Sequence, residues 1–173
     1  MRVITNLGSG FVVVPLVLLV GLLARRAARS WRPLFLLALI LAGATLTSTV
    51  IKLVVARPRP ETRALVHALG DGFPSGHSTA AAAAWLSAAF VLGRLSRRTA
   101  VRVTFGTVAV VITALVGVSR VYLGVHQPTD VLGGWALGAL WVAGVLITVQ
   151  LLSHHPAPSA AESRPPRHAG AQT

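Results

Sequence analysis

Ser119-Arg120-Val121-Tyr122-Leu123-Gly124-Val125-His126-Gln127-Pro128-Thr129-Asp130 joins two apolar runs, residues 103–119 and 131–153, neither of which carries a charge. An ionisable group at membrane depth costs a few kcal/mol or more, so charges at such a junction mark a polar site at helix ends. Three further uncharged runs lie upstream, at residues 3–24, 33–51 and 78–93. A spanning helix needs about 20 mainly apolar residues. Four of the runs reach that range, and the run 78–93 does so once Gly76 and His77 extend it into the interface. The expectation is an all-α integral membrane bundle of about five transmembrane helices. One domain, residues 1–153, precedes a tail, 154–173, whose Pro, Ala, Ser and Arg content without periodicity predicts a disordered cytoplasmic segment.

Composition supports the membrane reading. Hydrophobic residues make up 54% of the 173 positions and charged residues only 12%, about half the share usual in a soluble domain. The net charge of +12 does not point to nucleic acid, because the basic residues lie between apolar runs rather than along one stripe. The first run precedes no soluble domain and reads as a span, not a signal peptide. The absence of cysteine excludes disulfides and thiolate metal sites.

The connecting segments sort by charge. Arg25, Arg26, Arg29, Arg32, Arg94, Arg97, Arg98, Arg102, Arg164 and Arg167 fall on one side of an alternating five-helix topology. Arg2, Lys52, Arg57, Arg59, Arg63 and Arg120 fall on the other. The positive-inside rule makes the first side cytoplasmic, which puts the site on the extracytoplasmic face of the plasma membrane. Gly134 with Gly138, and Ala80 to Ala84, offer small surfaces for close helix packing.

Three charged clusters sit on that second face: Lys52 with Arg59-Pro60, Pro74-Ser75-Gly76-His77, and the opening stretch. Lys52, Arg59 and Arg120 supply positive charge and many N–H donors, suited to an oxyanion with several oxygens. Ser75 and Gly76 open a helix whose N-terminal N–H groups suit an anion. His126 and His77 can act as nucleophile, base or acid near neutral pH. Asp130, four residues after His126, can accept from one imidazole nitrogen and leave the other free to attack. Together these parts describe phosphoryl transfer with cations in place of a metal.

Taken singly, each residue has a plainer reading. Lys52 and Arg120 can snorkel from helix ends, and Arg57 and Arg63 read as snorkelling or lipid-headgroup residues. His77 can be an ordinary helix-end histidine. Asp130 in a first turn can simply favour the helix dipole, and Ser75 can be an N-cap. His67, His154, His155 and His168 have no apparent partner and keep the plain reading. The coincidence of several such residues in order is what sets the plain readings aside.

Lys52, six residues, then Arg59-Pro60 resembles the first signature of the type-2 phosphatidic acid phosphatase family. Pro74-Ser75-Gly76-His77 resembles the second. Ser119-Arg120, five residues, His126, three residues, Asp130 resembles the third, and all three occur in order without substitution. The resemblance implies that His126 is the nucleophile that forms a phosphohistidine, with Asp130 orienting it and His77 as general acid. It implies that Lys52, Arg59, Ser75, Gly76 and Arg120 hold the phosphoryl oxygens, with no metal or other cofactor. The superfamily also contains soluble vanadium-dependent haloperoxidases, and the five apolar runs argue against that branch. Membrane members usually carry six spanning helices, with the first signature after the third. Here it follows the second, so either Met1 is an internal start of a longer gene product or this member does without that helix.

The expected function is hydrolysis of a phosphate monoester or pyrophosphate on a lipid: phosphatidic acid, phosphatidylglycerol phosphate, or a polyprenyl phosphate or pyrophosphate. The expected partners are therefore that lipid phosphate and the membrane lipids. A lipid phosphotransferase and a non-catalytic lipid-phosphate binder are the alternatives. Binding alone needs neither a nucleophile nor a general acid. A transporter would show interrupted helices near the bilayer midplane, whereas these clusters lie at helix ends.

Overall fold

A computed structural model describes residues 1–59, 65 and 70–153. The expected disordered tail, Pro60, Arg63 and His67 lie outside the described residues. Among the described residues six helices follow one another: α1 (Arg2–Asn6), α2 (Gly10–Ala28), α3 (Arg32–Val55), α4 (Gly76–Arg94), α5 (Thr99–Tyr122) and α6 (Pro128–Ser153). No strand occurs among the described residues.

The helices α2, α3, α5 and α6 are each long and apolar enough to cross a membrane. Their outer faces carry large apolar side chains such as Phe11 (95% exposed) and Leu140 (69% exposed). Exposed apolar surface on this scale is what lipid, not water, covers. The helix α4 is less apolar for a structural reason. It packs against α2, α3, α5 and α6, and its Ser78–Ala84 stretch and Ser87 are buried. A helix enclosed by its neighbours needs small side chains more than lipid-facing ones. With α4 included, the bundle has the five long helices expected.

The α4–α6 contact rests on the small residues noted in the sequence. A Cβ added to Gly134 would sit 2.7 Å from the Ser75 carbonyl oxygen, and one on Gly138 would sit 2.6 Å from the Ala82 Cβ. Any side chain at either position would push the helices apart. On the other side of α4, Val13, Val17 and Val20 of α2 and Leu37, Ile40 and Ala44 of α3 close an apolar core over Ala80, Ala84 and Ala88.

The first apolar run is not one helix from residue 3, and its spanning part begins at Gly10. Two local features break it. Ser9 takes an extended N-cap conformation before α2, and Gly8 lies so close to α4 that an added Cβ would be 2.6 Å from the His77 carbonyl oxygen. The segment before Gly10 therefore turns back, and α1 lies against α5.

Because the helices alternate, the loop after α3, the start of α4 and the α5–α6 turn share one end of the bundle. Arg32, Arg94 and Arg98 mark the other.

Candidate active site

The third cluster is shaped by a tight turn. The last turn of α5 holds Arg120, and Gly124 adopts a positive φ of 69° that reverses the chain, a conformation glycine takes without a Cβ penalty. Pro128 then opens α6, with Asp130 in its first turn. The Asp130 Oδ2 accepts the Gln127 backbone N–H at 2.8 Å, which is one half of a capping box. The same oxygen faces His126 Nδ1 at 3.5 Å. That separation exceeds an ordinary hydrogen bond, and Nδ1 is buried without a closer partner. The plain reading of Asp130 and the chemical one thus hold together: it caps the helix and addresses the histidine.

The second cluster joins the third through the backbone. The Ser75 N–H donates to the Asp130 carbonyl at 2.9 Å. Ser75 is fully buried, is the N-cap residue of α4 and receives the Ser78 hydroxyl at 3.0 Å. Gly76 opens α4 beside the Lys52 side chain. His77 follows in the first turn, where the charges of Arg120 and Arg59 bear on its ring.

The first cluster wraps around both. Lys52 Nζ donates to the carbonyls of Asp71 (3.0 Å) and Pro74 (2.6 Å), which ties the end of α3 to the approach to α4. Arg59 donates from Nε to the Gly70 carbonyl at 2.7 Å and from Nη1 to the Val125 carbonyl at 2.8 Å. Its Nη1 also lies 3.3 Å from His126 Nε2. That contact is favourable when Nε2 is the unprotonated nitrogen, which places the ring proton on Nδ1, facing Asp130.

Burial, with the charges of Arg59, Arg120 and Lys52, lowers the His126 pKa below the ordinary imidazole value despite the opposing pull of Asp130. The ring is therefore neutral at pH 7, with its Nε2 lone pair beside a guanidinium.

All eight residues singled out in the sequence stand at this end of the bundle. Two further residues join them. Arg57, read from the sequence as a snorkelling or headgroup residue, instead donates from Nη1 to Asp130 Oδ1 at 3.1 Å and to the Thr129 hydroxyl at 2.9 Å, and from Nη2 to Gln127 Oε1. The signal that points to it is the need of a buried carboxylate for a cationic partner. Thr5 accepts from Arg120 Nη1 at 2.9 Å. Nothing in the sequence marks that hydroxyl. Among the described residues, no group of three or more His, Cys, Asp or Glu is placed to hold a metal ion, and the site's positive charge comes from its own side chains.

An apolar groove of about 1310 Å³ runs along α2 and α3, past Val13, Val17 and Leu41, and ends at Gly76 and His77. It has the form that a hydrocarbon chain fits beside a polar headgroup site.

The sequence pattern of the PAP2 superfamily matches residues 33–153. Phosphatidylglycerophosphatase B of Bacillus subtilis (strain 168) is 39% identical over 138 residues, covering 79% of this chain and 68% of that protein. The putative undecaprenyl-diphosphatase YbjG of Escherichia coli (strain K12) is 36% identical over 90 residues, covering 52% of this chain and 41% of that one. Among solved structures, the transmembrane PAP2-type phosphatidylglycerolphosphate phosphatase of Bacillus subtilis superposes with a TM-score of 0.83 at 34% identity, over 90% of this chain and 77% of that one. LpxE of Aquifex aeolicus superposes with a TM-score of 0.66 at 25% identity, over 84% and 82% of the two chains.

Proposed function

We propose that this chain, which belongs to the PAP2 superfamily, is an integral membrane phosphatase that removes a phosphate or pyrophosphate group from a lipid. The observation that carries the reading is the setting of His126: Nδ1 towards Asp130, Nε2 towards Arg59, and a depressed pKa that keeps the ring neutral.

The reaction runs in two steps. His126 Nε2 attacks phosphorus and the bond to the leaving oxygen breaks; His77, held protonated by the negative charge of the bound phosphate, gives that oxygen its proton. Water, deprotonated by His77, then attacks the phosphohistidine, and Nε2 leaves with its electron pair restored. Lys52, Arg59, Arg120 and the N–H groups at the start of α4, from Gly76 on, hold the phosphoryl oxygens and take up the charge that a metal would otherwise carry. As Nε2 bonds to phosphorus the ring gains positive charge, and Asp130 stabilises it through Nδ1–H.

The groove ending at His77 supports a substrate whose tail stays in the bilayer while its phosphate reaches the cations. The first substrate to test is phosphatidylglycerol phosphate, because the relative that covers most of this chain acts on it. Phosphatidic acid and polyprenyl phosphates and pyrophosphates follow. The charge asymmetry of the loops supports a site on the extracytoplasmic face of the plasma membrane. The test is phosphate release from this panel in detergent with EDTA present. Release that persists in EDTA supports the cation-based site. Release abolished by EDTA and restored by a divalent metal overturns it, and no release from any lipid by the folded protein favours the binder.

Two kinetic expectations arise from the same geometry. Arg57→Ala removes the partner of Asp130 Oδ1. Arg57 is 35% exposed and Asp130 only 1%, so solvent screens part of the loss. The expected cost is about tenfold to hundredfold in kcat, below the roughly 3–5 kcal/mol that breaking a fully buried pair costs. Arg57→Lys should restore only part of it, since an ammonium cannot serve Asp130, Thr129 and Gln127 with one planar fork. Unchanged kcat in Arg57→Ala would return this residue to the snorkelling role.

The second concerns pH. The His126 pKa is lowered, so the nucleophilic neutral ring is lost only as pH falls through that lowered value. An NMR titration of imidazole-labelled protein, with His126 assigned by comparison with His126→Gln, should give a midpoint well below 6.5. A midpoint at or above 6.5 contradicts the electrostatic account.

A further inference from the structure

We propose that Thr5 is a positioning residue for phosphate binding: its hydroxyl fixes the direction of Arg120, making the segment before α2 part of the phosphate site. This rests on the phosphatase reading above and goes beyond it, because none of the three signatures includes a residue before Lys52.

Arg120 is only 6% exposed. A buried guanidinium normally sits against a carboxylate. Among the described residues, however, the salt bridges are those of Asp130 with Arg57 and with His126. Arg120 instead donates from Nη1 to the Thr5 hydroxyl at 2.9 Å, and its Nε is buried without a protein partner. A neutral acceptor orients the guanidinium without neutralising it. The full charge stays available for an anion, whereas a carboxylate in the place of Thr5 would have offset it. Threonine suits the task because its β-branch restricts χ1 and so limits the directions its hydroxyl can take.

The segment that carries Thr5 is itself fixed to the site. Thr5 is 7% exposed. Gly8 lies against the His77 carbonyl and Val116. The Leu7 carbonyl accepts the Trp85 indole N–H of α4 at 2.9 Å, and Arg2 donates from Nη2 to the Leu65 carbonyl at 2.9 Å. Leu65 N–H in turn donates to the Leu123 carbonyl at 3.1 Å. Thr5 is therefore held from α4 and from the loop that also carries Arg59.

The test compares wild type, Thr5→Val and Thr5→Ser for hydrolysis of phosphatidylglycerol phosphate and for inhibition by orthovanadate, a mimic of the transferring phosphoryl group. If wild type does not hydrolyse this lipid, the most active lipid of the panel replaces it. Thr5→Val keeps shape and removes the acceptor. It should lower kcat/KM about tenfold to hundredfold and weaken vanadate inhibition by a similar factor, the size expected when a hydrogen bond to a charged group is lost. Thr5→Ser should stay within about threefold of wild type, less than the loss of such a bond would bring. In an Arg120→Lys background, Thr5→Val should add little, because the pair acts as a unit.

A Thr5→Val variant with wild-type kinetics overturns the proposal. So does one that loses thermal stability while vanadate inhibition is unchanged, or one whose effect is undiminished in Arg120→Lys. If Thr5→Val is not recovered folded, Thr5→Cys, a similar volume with a weak acceptor, is measured against the same criteria. The His126→Ala variant separates the two levels: hydrolysis that survives it refutes the phosphatase mechanism, whereas hydrolysis that depends on His126 but not on Thr5 refutes only this inference.

Discussion

His126→Ala abolishes turnover: kcat falls by at least about ten-thousandfold, towards the rate left by charge stabilisation alone. Among the described histidines, His77 sits in the first turn of α4 on a separate element, whereas His126 Nε2 stands beside Arg59, where the phosphoryl oxygens would be held. The loss should appear in kcat and kcat/KM alike, because the missing bond is made only on the way to the transition state. Substrate binding should persist, since Lys52, Arg59, Arg120 and the α4 N-terminus are untouched. The check is phosphate release together with lipid binding by the same purified variant. A His126→Ala protein that retained a tenth of wild-type kcat would need a different nucleophile.

Asp130→Asn is the second large effect. The carboxamide keeps the shape and can still accept the Gln127 N–H, so the helix cap is retained. What is lost is the charge. Without it the Nδ1–H tautomer is no longer enforced, the cationic ring of the phosphohistidine has no counter-charge, and Arg57 loses its carboxylate partner. A triad aspartate replaced by asparagine elsewhere costs about ten-thousandfold in kcat. The wider 3.5 Å contact here puts the expectation at roughly a thousandfold or more. The pH dependence has a definite sign. Asp130 raises the His126 pKa against the surrounding cations, so the variant's His126 should titrate at still lower pH than wild type. Near-normal kcat, or a titration that moves upward, contradicts the role assigned to Asp130.

Much of this arrangement was legible in the sequence, for reasons that can be named. Lipid-facing helices must be apolar on their outer faces, so α3, α5 and α6 appear as uncharged runs bounded by charge. Lys52 and Arg120 fall in the last turns of α3 and α5, and His126 in the turn that follows α5. Glycine spacing on α6 and the alanines of α4 mark the close contact between these helices. The first span was less legible. Its uncharged run conceals the break at Gly8-Ser9-Gly10, because a glycine pressed against another backbone and a glycine within a helix look alike in sequence.

Arg57 was misread because the path of the loop after α3 decides its partner. Charge spacing along the chain could not say that it turns towards α6 and not towards headgroups. Thr5 was invisible. A lone hydroxyl in an apolar run gains meaning only when α1 folds back onto α5 and meets a buried guanidinium.

The most direct test of the central claim is to trap the covalent intermediate. Wild-type protein turning over phosphatidylglycerol phosphate, or the most active lipid of the panel, is quenched in alkali, digested and sequenced by mass spectrometry. The account predicts an acid-labile phosphate on His126 that is absent from His126→Ala. Sustained turnover with no label on His126, or label on another side chain, would contradict it.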